Sequence, residues 1–120
     1  MNKKQEWYMT LQDIGCIVCL NEHQVRSEPD IHHIHANGNR RVDDFHTIPL
    51  CPTHHRSGLK TKMFVSRHPW KTEFEKRYGS EWDLYEQVKQ LADEYRKRRV
   101  THTAFLASLS EQSEPTDGHE

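Results

Sequence analysis

An α+β fold is predicted by three features of the sequence. Two short segments, Ile31-His32-His33-Ile34 and Thr47-Ile48-Pro49-Leu50, alternate or concentrate apolar residues between turn-forming stretches, as strands do. Directly after the second, Pro52 and Gly58 bracket a run suited to one short helix, with proline at its first position and glycine past its end. Further on, Leu84, Val88, Leu91 and Tyr95 recur at spacings of four, three and four, the period of an amphipathic helix. The order is strand, loop, strand, helix, with further helices on the C-terminal side.

The remaining elements follow along the chain. The first dozen residues form a short helix or strand whose Trp7, Tyr8, Met9 and Leu11 lie against the core. Gly15 to Glu22 reads as a tight knuckle around Cys16-Ile17-Val18-Cys19, and Ser27-Glu28-Pro29-Asp30 breaks the chain before the first strand. Ala36-Asn37-Gly38-Asn39-Arg40-Arg41 is a turn or open loop, because Asn-Gly tolerates positive φ. Pro49 suits an edge strand. Pro69 to Tyr78 is helical, with Phe74 and Tyr78 four apart and Gly79 as terminator; Ser80-Glu81-Trp82-Asp83 resembles a capping box that opens a helix running to about Arg99. The charge run Arg96-Lys97-Arg98-Arg99 suits either phosphate contacts or, as the simpler reading, a solvated complement to the helix dipole.

With 120 residues, of which 33% are hydrophobic, the chain has room for one domain and a thin core, so an additional staple is expected. The formal charge of −1 conceals an asymmetry. Residues 106–120 carry Glu111, Glu114, Asp117 and Glu120 and no lysine or arginine, which leaves residues 1–105 net basic. We therefore expect a single domain over 1–105, compatible with phosphate binding, and a disordered acidic tail over 106–120. No stretch is apolar enough to span a membrane, and the charged start is not followed by the apolar block of a secretory signal, so a soluble cytoplasmic protein is expected.

Three cysteines and ten histidines then decide the staple. Cys16 and Cys19 lie too close for a comfortable disulfide, and the count is odd, so metal binding is the better reading. A structural zinc takes four tetrahedral ligands most economically from two knuckles that each give two donors three apart. Cys16 and Cys19 form one knuckle, and Cys51 and His54 form the other. The competing reading, buried free thiols, leaves both pairings unexplained.

A second constellation is chemical. Phosphodiester cleavage requires a base for the attacking water and a cation beside the scissile phosphate. His32 and His33 are adjacent on a strand, so their side chains leave opposite faces and take different roles. His55, next to His54, points to another side of its helix and is positioned to meet one of them.

Together, Ile31-His32-His33-Ile34, the run Ile48-Pro49-Leu50-Cys51-Pro52-Thr53-His54-His55-Arg56 and the segment Phe74-Glu75-Lys76-Arg77-Tyr78-Gly79 resemble the HNH endonucleases of the ββα-metal superfamily. The likeness is narrowest to the phage-encoded recombination-enhancement (Ref) nucleases, and spans roughly Cys16 to Tyr85. The resemblance implies a zinc-stapled ββα-metal core in which His32 and His55 ligate a catalytic divalent metal (Mg, Mn, Ni or Zn) and His33 is the general base. The family's middle position, often asparagine, falls near His46, which is expected to serve as ligand, loop pin or substrate contact. Asp43, Asp44 and His68 are weaker rivals for a third ligand. The resemblance also implies DNA as substrate, with a RecA-type recombinase filament as the partner that directs cutting. Arg40, Arg41 and Arg56, near the site in sequence, suit phosphate contacts. The rival function is a non-catalytic zinc module that binds nucleic acid or protein.

Overall fold

The computed structural model describes residues 1–36 and 40–117; the turn expected at Asn37-Gly38-Asn39 lies outside the described residues. The chain opens with α1 (Lys3–Ile14), a helix rather than a strand. Its start is set by a capping box: the Asn2 side chain accepts from the Gln5 backbone, and the Gln5 side chain accepts from the Asn2 backbone at 3.0 Å. It ends at Gly15, at φ +79, where a side chain would press within 3.0 Å of the Ser27 carbonyl. That close approach lets the Cys16 backbone N–H donate to the same carbonyl and fixes the entry of the first knuckle.

The knuckle leads into α2 (Ile17–His23). A helix begins here because Cys16 caps it, its sulfur accepting from the Cys19 backbone N–H at 3.4 Å. The two expected strands are β1 (Asp30–His33) and, after the short antiparallel pair β2 (His35–Ala36) and β3 (Arg40–Arg41), β4 (Thr47–Leu50). β1 and β4 run antiparallel, with His32 opposite Ile48 and His33 opposite Thr47. Among the described residues this sheet has two strands, so Pro49 sits on an edge as its missing N–H requires. α3 (Pro52–His55) follows with Pro52 in its first turn.

α4 (Lys71–Tyr78) ends at Gly79, and Phe74 packs edge-on against Tyr78. α5 (Glu81–Asp117) opens where Ser80 accepts from the Asp83 backbone N–H. The sequence places the end of this helix near Arg99; instead it runs on through residue 117, into the segment that reads as a tail. No glycine or proline interrupts residues 80–114, so the backbone has no local reason to leave the helix. Among the described residues, no helix is long and apolar enough to cross a membrane.

The core is one cluster. Leu11 and Ile14 of α1, Ile17 and Val18 of α2, Ile48 and Leu50 of β4, Phe74 of α4 and Leu84 and Val88 of α5 are all buried in it, and Leu91 and Tyr95 pack on its edge. The α5 stripe is therefore core-facing, as its spacing predicted. Trp7 ties α1 to the sheet, donating its indole N–H to the buried Thr47 hydroxyl at 2.7 Å.

Candidate metal centres and active site

The first centre brings both knuckles together. Cys16 and Cys19 from the start of α2, and Cys51 and His54 from the β4–α3 junction, are all buried, with donor atoms within 4.8 Å of one another. The His54 Nδ1 lies 3.3 Å from Cys51 Sγ, 3.6 Å from Cys19 Sγ and 3.8 Å from Cys16 Sγ, and the Cys19 and Cys51 sulfurs are 3.7 Å apart. Zinc bonds of about 2.3 Å to sulfur and about 2.0 Å to nitrogen make tetrahedral edges of about 3.5–3.8 Å, so the four donors fit a zinc ion.

The electrostatics agree. Burial and hydrogen bonding make these thiols unequal: Cys51 is drawn down to about 3, chiefly by the hydrogen bond from Cys16, while Cys16 is raised by holding the shared proton and by burial. A divalent cation satisfies all three sulfurs as thiolates. His54 Nε2 is buried without a hydrogen-bond partner among the described residues. The His54 ring packs against those of Phe64 and Tyr78, with centroids 5.5 and 5.3 Å apart, and Nδ1, facing the sulfurs, is the nitrogen free to ligate.

The second centre is a triangle of imidazoles. His32, His55 and His68 each offer a nitrogen within 4.8 Å of the others. Ring centroids are separated by 5.0 Å (His32 to His55), 5.5 Å (His32 to His68) and 5.2 Å (His55 to His68). Burial is graded: His32 is buried, His55 intermediate and His68 exposed, so the triangle opens to solvent on one side. Three imidazole nitrogen donors with an open side suit a divalent transition metal that also admits a substrate. Burial pushes the His32 imidazole below its usual range. Partial desolvation and the Arg67 charge push His68 down to about 4. Both rings are thus neutral, and able to ligate, near pH 7.

Each ring has an identifiable support. His32 leaves β1 toward α3 and α5; its Nδ1 faces His55 Nε2 at 3.1 Å and its Nε2 meets Glu81 Oε2 at 2.9 Å. Glu81, in the first turn of α5, is itself buried and accepts from Arg67 Nε at 2.5 Å. Burial alone would raise its carboxyl, but the hydrogen bonds from His32 and Arg67 outweigh that and bring it to about 2. His55 Nδ1 meets Asp30 Oδ2 at 3.0 Å, and Arg56 Nε donates to that oxygen at 2.8 Å. His68 arrives by backbone pairing: the N–H groups of Arg67 and His68 donate to the carbonyls of His54 and His55, folding the loop after α3 back onto it.

The third imidazole is accordingly His68, which the sequence ranked below His46. His46 is not in the triangle. Its Nδ1 meets Asp43 Oδ1 at 2.7 Å and its ring lies against Trp82 and Tyr85, because Asp43 also accepts from the backbone of residues 45 and 46 and closes a tight turn. Asp43 and Asp44 are likewise outside it. His33 leaves the opposite face from His32, as strand alternation requires, and its Nε2 meets Asp44 Oδ1 at 3.0 Å, with the Tyr8 hydroxyl 3.4 Å away. Arg40 and Arg41 are exposed on β3, and the Arg56 side chain is 62% exposed beyond its contact with Asp30. Reading the sequence missed Glu81, Asp30 and Arg67 as site residues. The available signal was weak: each bears a charge, and Asp30 and Glu81 open β1 and α5, while Arg67 lies in the loop before α4.

A family model described as recombination enhancement, RecA-dependent nuclease matches residues 1–93. No curated protein and no solved structure matches the chain.

Proposed function

We propose that this chain, which belongs to the recombination-enhancement, RecA-dependent nuclease family, is a metal-dependent DNA endonuclease of the HNH (ββα-metal) type that cuts DNA presented by a RecA-type recombinase filament. The observation that carries the reading is the triangle of His32, His55 and His68, graded from buried to exposed. A structural centre closes all four positions and recruits cysteine, as the neighbouring Cys16, Cys19, Cys51 and His54 do. A second centre of imidazoles alone, open on one side, is suited to chemistry, and the non-catalytic zinc-module reading gives it no purpose.

His32, His55 and His68 would hold the divalent cation, which would supply positive charge to offset the charge developing on the scissile phosphate. His33 is the base. Asp44 accepts the Nε2 proton of His33, so Nδ1 is left with a lone pair for the attacking water. The water oxygen forms a bond to phosphorus, its proton passes to His33, and the bond from phosphorus to one bridging oxygen breaks, that oxygen leaving with the bonding pair and taking a proton from solvent. Arg40, Arg41 and Arg56 hold flanking phosphates, giving sequence-tolerant, salt-sensitive binding. The Cys16, Cys19, Cys51 and His54 centre, filled with zinc, fixes β4 and α3 so that His55 faces His32.

The test is cleavage of single-stranded and duplex DNA by the full chain with zinc, manganese, nickel or magnesium, with and without a recombinase filament. Cleavage that needs added metal, is stimulated by the filament and is lost in His55→Ala is the expected result. Metal-independent cleavage, or full activity in His55→Ala, would overturn the reading.

A further inference from the structure

We propose that Glu81 and Asp30, each locked by an arginine, are positioning residues that fix the tautomers of His32 and His55, so that His32 offers Nδ1 and His55 offers Nε2 to the cation. This rests on the reading of the three imidazoles as a metal site. The two supports are built alike. Glu81 takes the Nε2 side of His32 while Arg67 holds its other oxygen, and Asp30 takes the Nδ1 side of His55 while Arg56 holds the same oxygen.

A neutral imidazole has one N–H. A carboxylate accepts but cannot donate, so at 2.9 Å Glu81 requires the His32 proton on Nε2, and at 3.0 Å Asp30 requires the His55 proton on Nδ1. The remaining nitrogens, His32 Nδ1 and His55 Nε2, then carry bare lone pairs turned toward each other at 3.1 Å. Two lone pairs at that distance repel unless a cation lies between or beside them. Metal bonds of about 2.0–2.1 Å place adjacent tetrahedral nitrogens about 3.3–3.4 Å apart, close to the spacing observed. The use of opposite ring nitrogens by two ligands follows from which side each carboxylate occupies.

The support around His32 is the stronger. Glu81 and His32 are each 3% exposed, whereas the side chains of Asp30 and Arg56 are 27% and 62% exposed. Glu81 cannot turn away to water without abandoning both Arg67 and His32. It therefore aligns the β1 ligand and links it to the N-terminus of α5, and Arg67, next to His68, couples that support to the third imidazole.

The experiment uses the full chain with one equivalent of zinc in the cysteine centre. Long-range proton–nitrogen NMR of the histidine rings reads the tautomers directly, and titration with cobalt(II), followed by its visible absorption, reads the open site. We expect wild type to show His32 protonated at Nε2 and His55 at Nδ1, and to bind one cobalt that His32→Ala cannot bind. Glu81→Gln and the more exposed Asp30→Asn should each weaken cobalt binding by roughly 10- to 100-fold, with zinc retention and circular dichroism unchanged. Wild-type rings protonated on the nitrogens that face each other, or variants that bind cobalt as tightly as wild type, would overturn the proposal. Failure of wild type to bind cobalt would instead overturn the metal-site reading, and the ring tautomers would still be read independently.

Discussion

Stripping metal from this protein should occur in two separable steps. The open triangle has three imidazole donors and an exposed side, whereas the Cys16, Cys19, Cys51 and His54 centre is buried and contributes three thiolates. A mild chelator should therefore empty the triangle first, abolishing cleavage while circular dichroism and the melting curve stay close to those of the loaded protein. A strong chelator should then remove the cysteine-bound zinc and unfold the domain. The magnitude follows from what that centre joins. Its four ligands bind the start of α2 to the β4–α3 junction, across the layer where Ile17, Val18, Ile48 and Leu50 are buried. Small domains are stable by about 5–15 kcal/mol, and structural zinc contributes about 10–16 kcal/mol in small modules. Loss of that ion removes as much free energy as the whole fold holds in reserve. Zinc release, tryptophan fluorescence and far-ultraviolet circular dichroism, followed together against buffered free zinc, should change in one transition. A protein that kept its melting temperature after losing the cysteine-bound ion would refute this account of how the fold is held.

Other expectations follow from individual contacts. Phe74 is fully buried against Tyr78, so Phe74→Ala should destabilise the zinc-loaded protein by about 3–5 kcal/mol in urea unfolding. Asp44→Asn releases His33 Nε2 to the wrong tautomer and should slow cleavage by about tenfold or more with metal content unchanged; an equal rate would remove Asp44 from the site. Arg40→Ala and Arg41→Ala should each lower the slope of log affinity against log salt by about 1 and weaken all DNA sequences alike. In the protein with zinc only in the cysteine centre, the His68 ring should titrate by NMR near 4 rather than near its usual value. Because the folded form holds this ring neutral, the associated stability is present above about 6.5, the unfolded value, and is lost as pH falls toward 4. His68→Ala should flatten that part of the stability profile.

What the sequence disclosed and what it hid divide along physical lines. The cysteine centre was legible because each knuckle is local: two ligands three residues apart on a tight turn or a helical start announce themselves. The pairing of His32 with His55 was legible from strand alternation and from the turn of α3. The α5 stripe was legible because buried Leu84 and Val88 and partly buried Leu91 follow one helical period. His68 was underweighted because its approach depends on backbone hydrogen bonds between the loop at 67–68 and the carbonyls of His54 and His55. Glu81 looked like a residue of the capping motif, and only the docking of α5 beside β1 turns its carboxylate onto His32. α1 remained open between helix and strand because its apolar residues are nearly consecutive, while the decisive signal was the polar pair Asn2 and Gln5. His46 attracted a role through its place in a motif, but Asp43 three residues before it offered a nearer partner.

The central claim is that His33 takes a proton from water beside a cation held by other residues. Its most direct test is the single-turnover rate of DNA cleavage by wild type and His33→Ala, both shown to carry the same metal content and the same fold. The account predicts a loss of about 10²- to 10⁴-fold in the variant, with metal affinity unchanged. Cleavage by His33→Ala at the parent rate would contradict it.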